Sequence, residues 1–212
     1  MMGAMSRALI FDLDRTLVDI QSFTDYGSAR RDAEAIIGTQ SEIAVPATDW
    51  SADTQAAMGL LVACSGNPLW QRVSDAIERY EMAAIPSSAP MPGLAEAWAA
   101  CREVPRAVVT LVPESVARAA LDWHGIDTGD LIVIGRRADQ RPKPAADGLI
   151  AVCEQLGIDP RHAVMIGDSS WDLGAAEAAG TDFIGVPTRP ENLPPGTRTA
   201  VNLEAAVAAA LA

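Results

Sequence analysis

The amino-acid sequence predicts an α/β fold, a parallel sheet wrapped by helices on both faces, with an all-helical segment set into it. Two observations predict this. From Gly93 onward, short apolar runs alternate with helical patterns, the arrangement that builds βαβ units and a parallel sheet. Between about Gln21 and Ile85, apolar residues recur at helical spacing with no strand-like alternation.

The elements follow in order. Ala8-Leu9-Ile10-Phe11 is a continuous apolar run, as expected of a strand buried on both faces. Ser22 to Ile37 predicts a helix with Tyr26, Ala29, Ala33, Ile36 and Ile37 on one side. A loop containing Pro46 follows, and then Ser51 is placed to cap a helix through Met58, Leu61, Val62 and Cys64. Gly66-Asn67-Pro68 interrupts before a further helix from Pro68 to Met82. Pro86 to Pro92 has the composition of a linker or hinge. Helix Leu94–Cys101 precedes strand Ala107–Thr110, and helix Pro113–Trp123, with Val116, Ala120 and Trp123 on one face, precedes strand Leu131–Ile134. Helix Ala145–Leu156, strand Ala163–Ile166, helix Asp172–Ala179 and strand Phe183–Val186 complete the alternation, and the Ala-rich end from Ala205 forms a last helix.

With 212 residues, 49% of them hydrophobic, the chain can bury one substantial core carrying an insertion. The balance of 16 basic and 28 acidic residues gives a net charge of −12, which disfavours nucleic acid and anionic membrane surfaces. It also repels anionic small molecules, so any phosphate site needs local positive charge. There is no apolar run of about eighteen residues to span a membrane and no signal-peptide pattern at Met1–Arg7. Cys64, Cys101 and Cys153 are widely spaced and fit as small core residues of a reduced, cytoplasmic protein. The sequence leaves monomer and homodimer open.

Polar groups collect after the strands, where the ligand crevice of an open parallel sheet lies. Asp12 and Asp14 follow the first strand at a spacing that sends both to the same side, and read either as turn caps or as a cation site. Thr110 ends the second strand. Gly135-Arg136-Arg137 and then Arg141-Pro142-Lys143-Pro144 follow the third, and Gly167-Asp168-Ser169-Ser170-Trp171-Asp172 the fourth. Lys143 is the only lysine among the chain's cations, either an ordinary surface lysine or a compact charge at a site that arginine would not suit. Asp168 and Asp172, four residues apart, would share one helix face, although acidic residues also favour helix starts for reasons unrelated to function. His124 reads as a helix end, His162 lies at the strand end away from the crevice, and Arg30 and Arg31 read as solvated.

Asp12-x-Asp14-x-Thr16-Leu17, Thr110, Arg141-Pro142-Lys143-Pro144 and Gly167-Asp168-Ser169-x-x-Asp172 occur in one order along nearly the whole chain. Together they resemble the haloacid dehalogenase superfamily, most closely its phosphoglycolate phosphatase and β-phosphoglucomutase-like members. The resemblance implies a Rossmann-like five-stranded parallel sheet of order 5-4-1-2-3. Residues 5–20 and 86–212 would form the catalytic core and residues 21–85 a helical cap.

By resemblance, Asp12 is the nucleophile and Asp14 the general acid and base. Thr110 and Lys143, with main-chain amides at Leu13 and Leu111, bind phosphate, and Asp12, Asp14, Asp168 and Asp172 form the Mg²⁺ site. The implied activity is hydrolysis of a small phosphorylated metabolite. Alternatives are a sugar phosphomutase or a non-catalytic binding protein on the same fold. Two residues depart from the pattern. Arg15 stands where glycine is common, and Leu111 where many relatives carry asparagine. Asp14 argues against the dehalogenase branch, and the lack of lysine in the helical segment argues against the phosphonatase branch.

Overall fold

The computed structural model describes residues 7–38 and 48–212, so the loop expected around Pro46 and the first residues of the expected core lie outside it. Strand β1 (Ala8–Phe11), buried throughout, pairs in parallel with β4 (Arg106–Val109) on one side and β6 (Ala163–Gly167) on the other. Beyond them lie β5 (Ile132–Ile134) and β7 (Asp182–Gly185), giving the order β5-β4-β1-β6-β7. The chain builds outward from β1 to β5, then returns to β1's other side. The direction of winding therefore reverses between β1 and β6, and their carboxyl ends flank the crevice.

Side-chain alternation along β1 explains why both sheet faces are covered. Leu9 and Phe11 join a cluster with Val108, Val164, Val116, Leu121 and Val207, under α4 (Leu94–Ala100), α5 (Glu114–Trp123) and α8 (Leu203–Leu211). Ile10 faces the other way, into Met165, Leu149, Val152 and Ala175, under α6 (Asp147–Leu156) and α7 (Ser170–Ala179). Each such fully buried side chain contributes roughly 1.5–3 kcal/mol. Cys64, Cys101 and Cys153 are buried and free, as their spacing implied. Trp123, expected on the buried face of its helix, is 59% exposed because it occupies the final turn, next to the C-cap His124.

A detail absent from the expected sheet is a short antiparallel ribbon, β2 (Val18–Asp19) with β3 (Ala89–Pro90), in register Val18↔Pro90. The Pro86–Pro92 stretch, read from sequence as a linker, thus forms one side of this ribbon. The proline is tolerated because a two-stranded ribbon consists only of edges. The chain leaves the core at β2 and returns at β3, so both ends of the helical insertion are tied together.

The insertion comprises α1 (Tyr26–Ile37), α2 (Ala52–Ala63) and α3 (Trp70–Ala84), with α1 packed on both others. Helix α1 starts at Tyr26, four residues later than Ser22, because the Asp25 carboxylate accepts from Ser28 N at 2.9 Å and provides the stronger cap. Gln21–Phe23 forms a 3-10 turn. Ser51 caps α2 as its position implied, accepting from Thr54 N at 3.1 Å. Tyr26, Ala29, Met58, Leu61, Trp70 and Ile77 form a cluster of their own, joined from the core by Trp171. Among the described residues, no helix is long and apolar enough to cross a membrane.

A buried ion pair joins the insertion to the core. Arg136, following β5, donates from Nη1 to Glu81 Oε1 at 2.7 Å and to Leu111 O at 3.0 Å. It also donates from Nε to Ser74 Oγ at 3.0 Å and from Nη2 to Ser74 O at 3.1 Å. The Tyr26 hydroxyl donates to the same Glu81 oxygen at 3.2 Å. The Arg136 and Glu81 side chains are 1% and 0% exposed. Replacing Arg136 with methionine would leave the Glu81 carboxylate unpaired in this interior. Urea denaturation should show a loss of about 3–5 kcal/mol in Arg136→Met, with recovery when Glu81→Met is added.

Candidate active site

The ladder runs one residue past β1, where Asp12 N donates to Ile166 O at 2.9 Å and aims its side chain into the crevice. The chain then folds tightly around one carbonyl. Leu17 N and Val18 N both donate to Leu13 O, at 2.8 and 3.0 Å. This turn requires Arg15 to adopt a φ of 64°, the left-handed region that glycine enters without strain. The two aspartates consequently face different partners. Asp12 Oδ1 accepts from Lys143 Nζ at 2.6 Å. Asp14 Oδ1 accepts from Ile20 N at 2.9 Å and Gln21 N at 3.0 Å, at the entry to the insertion.

Lys143 is buried, and its Nζ also donates to Asp172 Oδ1 at 2.5 Å. The Lys143–Pro144 peptide is cis. Asp172 is committed on both oxygens, since its Oδ2 accepts from Ser169 N at 3.1 Å and from Ser169 Oγ at 2.8 Å across the first turn of α7. Gly167 permits this packing, because a Cβ there would lie 2.4 Å from Asp172 Cγ. Thr110 is buried at the end of β4, its Oγ1 accepting from Val112 N at 3.4 Å. Asp12, Asp14, Thr110, Leu111, Lys143, Asp168 and Asp172 all line one cavity of ≈ 30 Å³.

Carboxylates outnumber cations here, and the titration behaviour reflects it. Burial raises Asp12 to about 6, reinforced by the charge of Asp172 and opposed by Lys143 and the Leu13 amide. Burial raises Asp14 to about 7 against the Gln21 and Ile20 amides that hold its charged form. Asp168 is pushed well above the usual carboxylate range by burial and then by Asp172 and Asp12. Burial works to lower Lys143, but the charges of Asp12 and Asp172 prevail and raise it.

This donor set fits a divalent cation. One oxygen from each of Asp12, Asp168 and Asp172 lies within 4.8 Å of the others, and Asp168 Oδ2 is buried with no hydrogen-bond partner. Were all three carboxylates ionised, one ammonium would leave two negative charges unbalanced, which a hard divalent cation bound through oxygen donors would offset.

Other cations from the sequence are engaged elsewhere. Arg136 is in the buried ion pair, while Arg137 and Arg141 pair with Asp139 and Asp147 near the surface, at 2.6 and 2.7 Å. The polar run after the third strand therefore contributes Lys143 alone to the cavity. Arg15 reaches the insertion, pairing with Asp49 at 2.9 Å. Arg30 pairs with Asp53 at 3.3 Å. His124 Nε2 lies 2.8 Å from Ser88 Oγ, away from the cavity. His162 closes a 3-10 turn before β6.

Sequence reasoning did not single out Gln21, Thr54 or Met58, which complete the cavity wall from the insertion together with Tyr26 and Trp50. Both of those residues line the cavity while belonging to the insertion's own cluster, and Trp50 stacks on Trp171 with ring centroids 5.4 Å apart. No local motif marks such residues, since they become lining only when the insertion closes over the sheet.

Residues 6–180 match the model of the haloacid dehalogenase-like hydrolase family. The chain is 29% identical to a phosphoglycolate phosphatase of Chromobacterium violaceum, over 85% of this chain and 84% of that protein. It is 30% identical to an N-acetylmuramic acid 6-phosphate phosphatase of Pseudomonas aeruginosa, over 82% and 79%. In fold it is similar to CbbY from Rhodobacter sphaeroides, solved with xylulose-(1,5)bisphosphate, with a TM-score of 0.70 at 20% identity, covering 94% of this chain and 96% of that one. With the aspartates, threonine and lysine of the sequence motifs gathered at the reversal point of a parallel sheet, the chain belongs to the haloacid dehalogenase-like hydrolase family.

Proposed function

We propose that this chain is a Mg²⁺-dependent phosphatase that hydrolyses a small phosphomonoester through an aspartyl phosphate on Asp12. The observation that carries the reading is the buried Lys143 ammonium bridging Asp12 and Asp172 beside the unpartnered oxygen of Asp168. Such a cluster is costly as architecture alone, and chemistry on a dianionic phosphate accounts for it.

In this mechanism an Asp12 carboxylate oxygen attacks phosphorus as the bond to the alcohol oxygen breaks. Asp14 gives its proton to that departing oxygen. Its carboxyl, raised to about 7 by burial, can hold the proton near neutral pH. Asp14 then takes a proton from the water that attacks phosphorus, releasing phosphate and restoring Asp12. Thr110, Lys143 and the amides of Leu13 and Leu111 bind the phosphoryl oxygens and offset the charge that builds on them. Asp12, Asp168 and the Asp14 carbonyl would hold the Mg²⁺, which would supply positive charge toward the phosphoryl oxygens. Asp172, with an oxygen within 4.8 Å of those of Asp12 and Asp168, would be a further ligand or would hold Lys143 beside the ion through its bonds to Lys143 and Ser169.

Residues 21–85 act as a cap over the core formed by residues 5–20 and 86–212. A cavity of ≈ 30 Å³ is far below the roughly 300 Å³ of a typical ligand pocket, so admitting substrate requires the cap to swing on the β2–β3 ribbon.

With p-nitrophenyl phosphate and Mg²⁺, Asp12→Asn should reduce turnover to background. Asp14→Asn should lower kcat by about 10²–10⁴, and a variant with wild-type kcat would remove that residue from the mechanism. Treatment with EDTA should abolish steady-state hydrolysis, and Mg²⁺ should restore it, while chelation leaves the far-ultraviolet dichroism unchanged. Asp172→Asn, by loosening Lys143, should raise KM for phosphate esters as well as lower kcat, read from full saturation curves.

A further inference from the structure

The cavity wall opposite the aspartates is supplied by the insertion and the loop after β4. Its apolar part is Trp50, Met58, Tyr26 and Leu111, and its uncharged polar part is Gln21 and Thr54. Among the described residues lining the cavity, Lys143 is the single cation, and it is already shared by two carboxylates. Residues 1–6 and 39–47 contain no lysine or arginine, so no cation of the chain lies outside the described residues.

Gln21, Tyr26 and Thr54 line both that cavity and a second, more open space of ≈ 430 Å³ beside it, the room available to a leaving group that the inner cavity cannot hold. Arg15 is the only cation among the described residues lining it, and Asp49 holds it at 2.9 Å. Asp25 and Asp53 line the same space. Around it, Arg30 pairs with Asp53 at 3.3 Å and Arg189 with Asp49 at 3.6 Å, and Arg31, beside Gly27, donates to Ser28 Oγ at 2.8 Å near the Asp25 carboxylate. A second anionic group on the substrate would find carboxylates and committed cations here. A neutral group would find the Tyr26 ring and the uncharged Gln21 and Thr54 side chains, which line both spaces.

We infer that the substrates of this site are phosphomonoesters of alcohols without a second negative charge, and that esters carrying a carboxylate or a second phosphate are rejected. The inference rests on the phosphatase reading above and adds the class of leaving group. Specificity of this kind comes from the unfavourable placement of like charges as much as from attraction. It also disfavours the phosphomutase alternative, which must hold a phosphate at both ends of one substrate.

Three two-carbon esters differing only in the terminal group isolate the charge: 2-phosphoglycolate, 2-hydroxyethyl phosphate and ethanolamine phosphate. The wild-type chain with Mg²⁺ should show kcat/KM for the neutral and cationic esters at least about tenfold above that for 2-phosphoglycolate. Where turnover of an ester is undetectable, its competitive inhibition of p-nitrophenyl phosphate hydrolysis gives the same ranking. Gln21→Lys, which adds a cation between the two spaces, should move the ratio toward 2-phosphoglycolate by several-fold. Equal or better use of 2-phosphoglycolate by the wild-type chain would overturn the inference and leave the phosphatase standing. Hydrolysis of none of the esters, p-nitrophenyl phosphate included, would remove the phosphatase and the selectivity with it.

Discussion

The site depends on one buried ammonium. Lys143 Nζ sits 2.6 Å from Asp12 and 2.5 Å from Asp172, and without it those carboxylates would confront one another and Asp168 in a desolvated space. The lysine reduces that repulsion without cancelling it, leaving the excess negative charge that suits a divalent ion. A lysine serves here because a compact ammonium on a flexible stem can bridge two carboxylates from within the protein, whereas a planar guanidinium would need a wider approach.

Holding that ammonium in place uses the order of the sheet. Asp12 follows the central strand β1, Asp168 follows its neighbour β6, and Asp172 projects from the first turn of α7. Lys143 arrives from the segment between β5 and α6, at the far side of β4. The groups meet because winding reverses between β1 and β6, which leaves the space above those strand ends free of a crossover helix.

The helical insertion is tied to this centre at three points. The β2–β3 ribbon joins its two ends, Arg15 reaches Asp49, and Arg136 binds Ser74, Glu81 and the carbonyl of Leu111. The last contact is the most consequential, because Leu111 directly follows Thr110. Movement of α3 is therefore linked through one guanidinium to the loop that follows Thr110 at the cavity. Arg15, with its positive φ, has an explanation in the same terms. Its ion pair to the insertion accompanies a backbone conformation better suited to glycine.

Much of this was legible in the order of residues. Strand and helix periods placed the core elements to within a few residues, since burial on both faces demands continuous apolar runs and one-sided burial demands helical spacing. Asp12, Lys143, Asp168 and Asp172 were legible because each stands in a short motif within the stretch that follows a strand. The start of α1 was missed because the helical pattern extends back to Ser22, whereas the Asp25 carboxylate caps the helix three residues further on. The ribbon was missed because a two-residue pairing has no period. What the sequence by itself determined, then, was the alternation of elements and the chemical identity of the groups at their ends, both of which are local properties. The tertiary structure alone decided which charges are neutralised by which, that Arg136 locks the insertion while Lys143 serves the site, and that Gln21, Thr54 and Trp50 face the same cavity as Asp12. Those pairings join residues far apart in the chain, and they are selected by the cost of burying an unpaired charge, which no local pattern records.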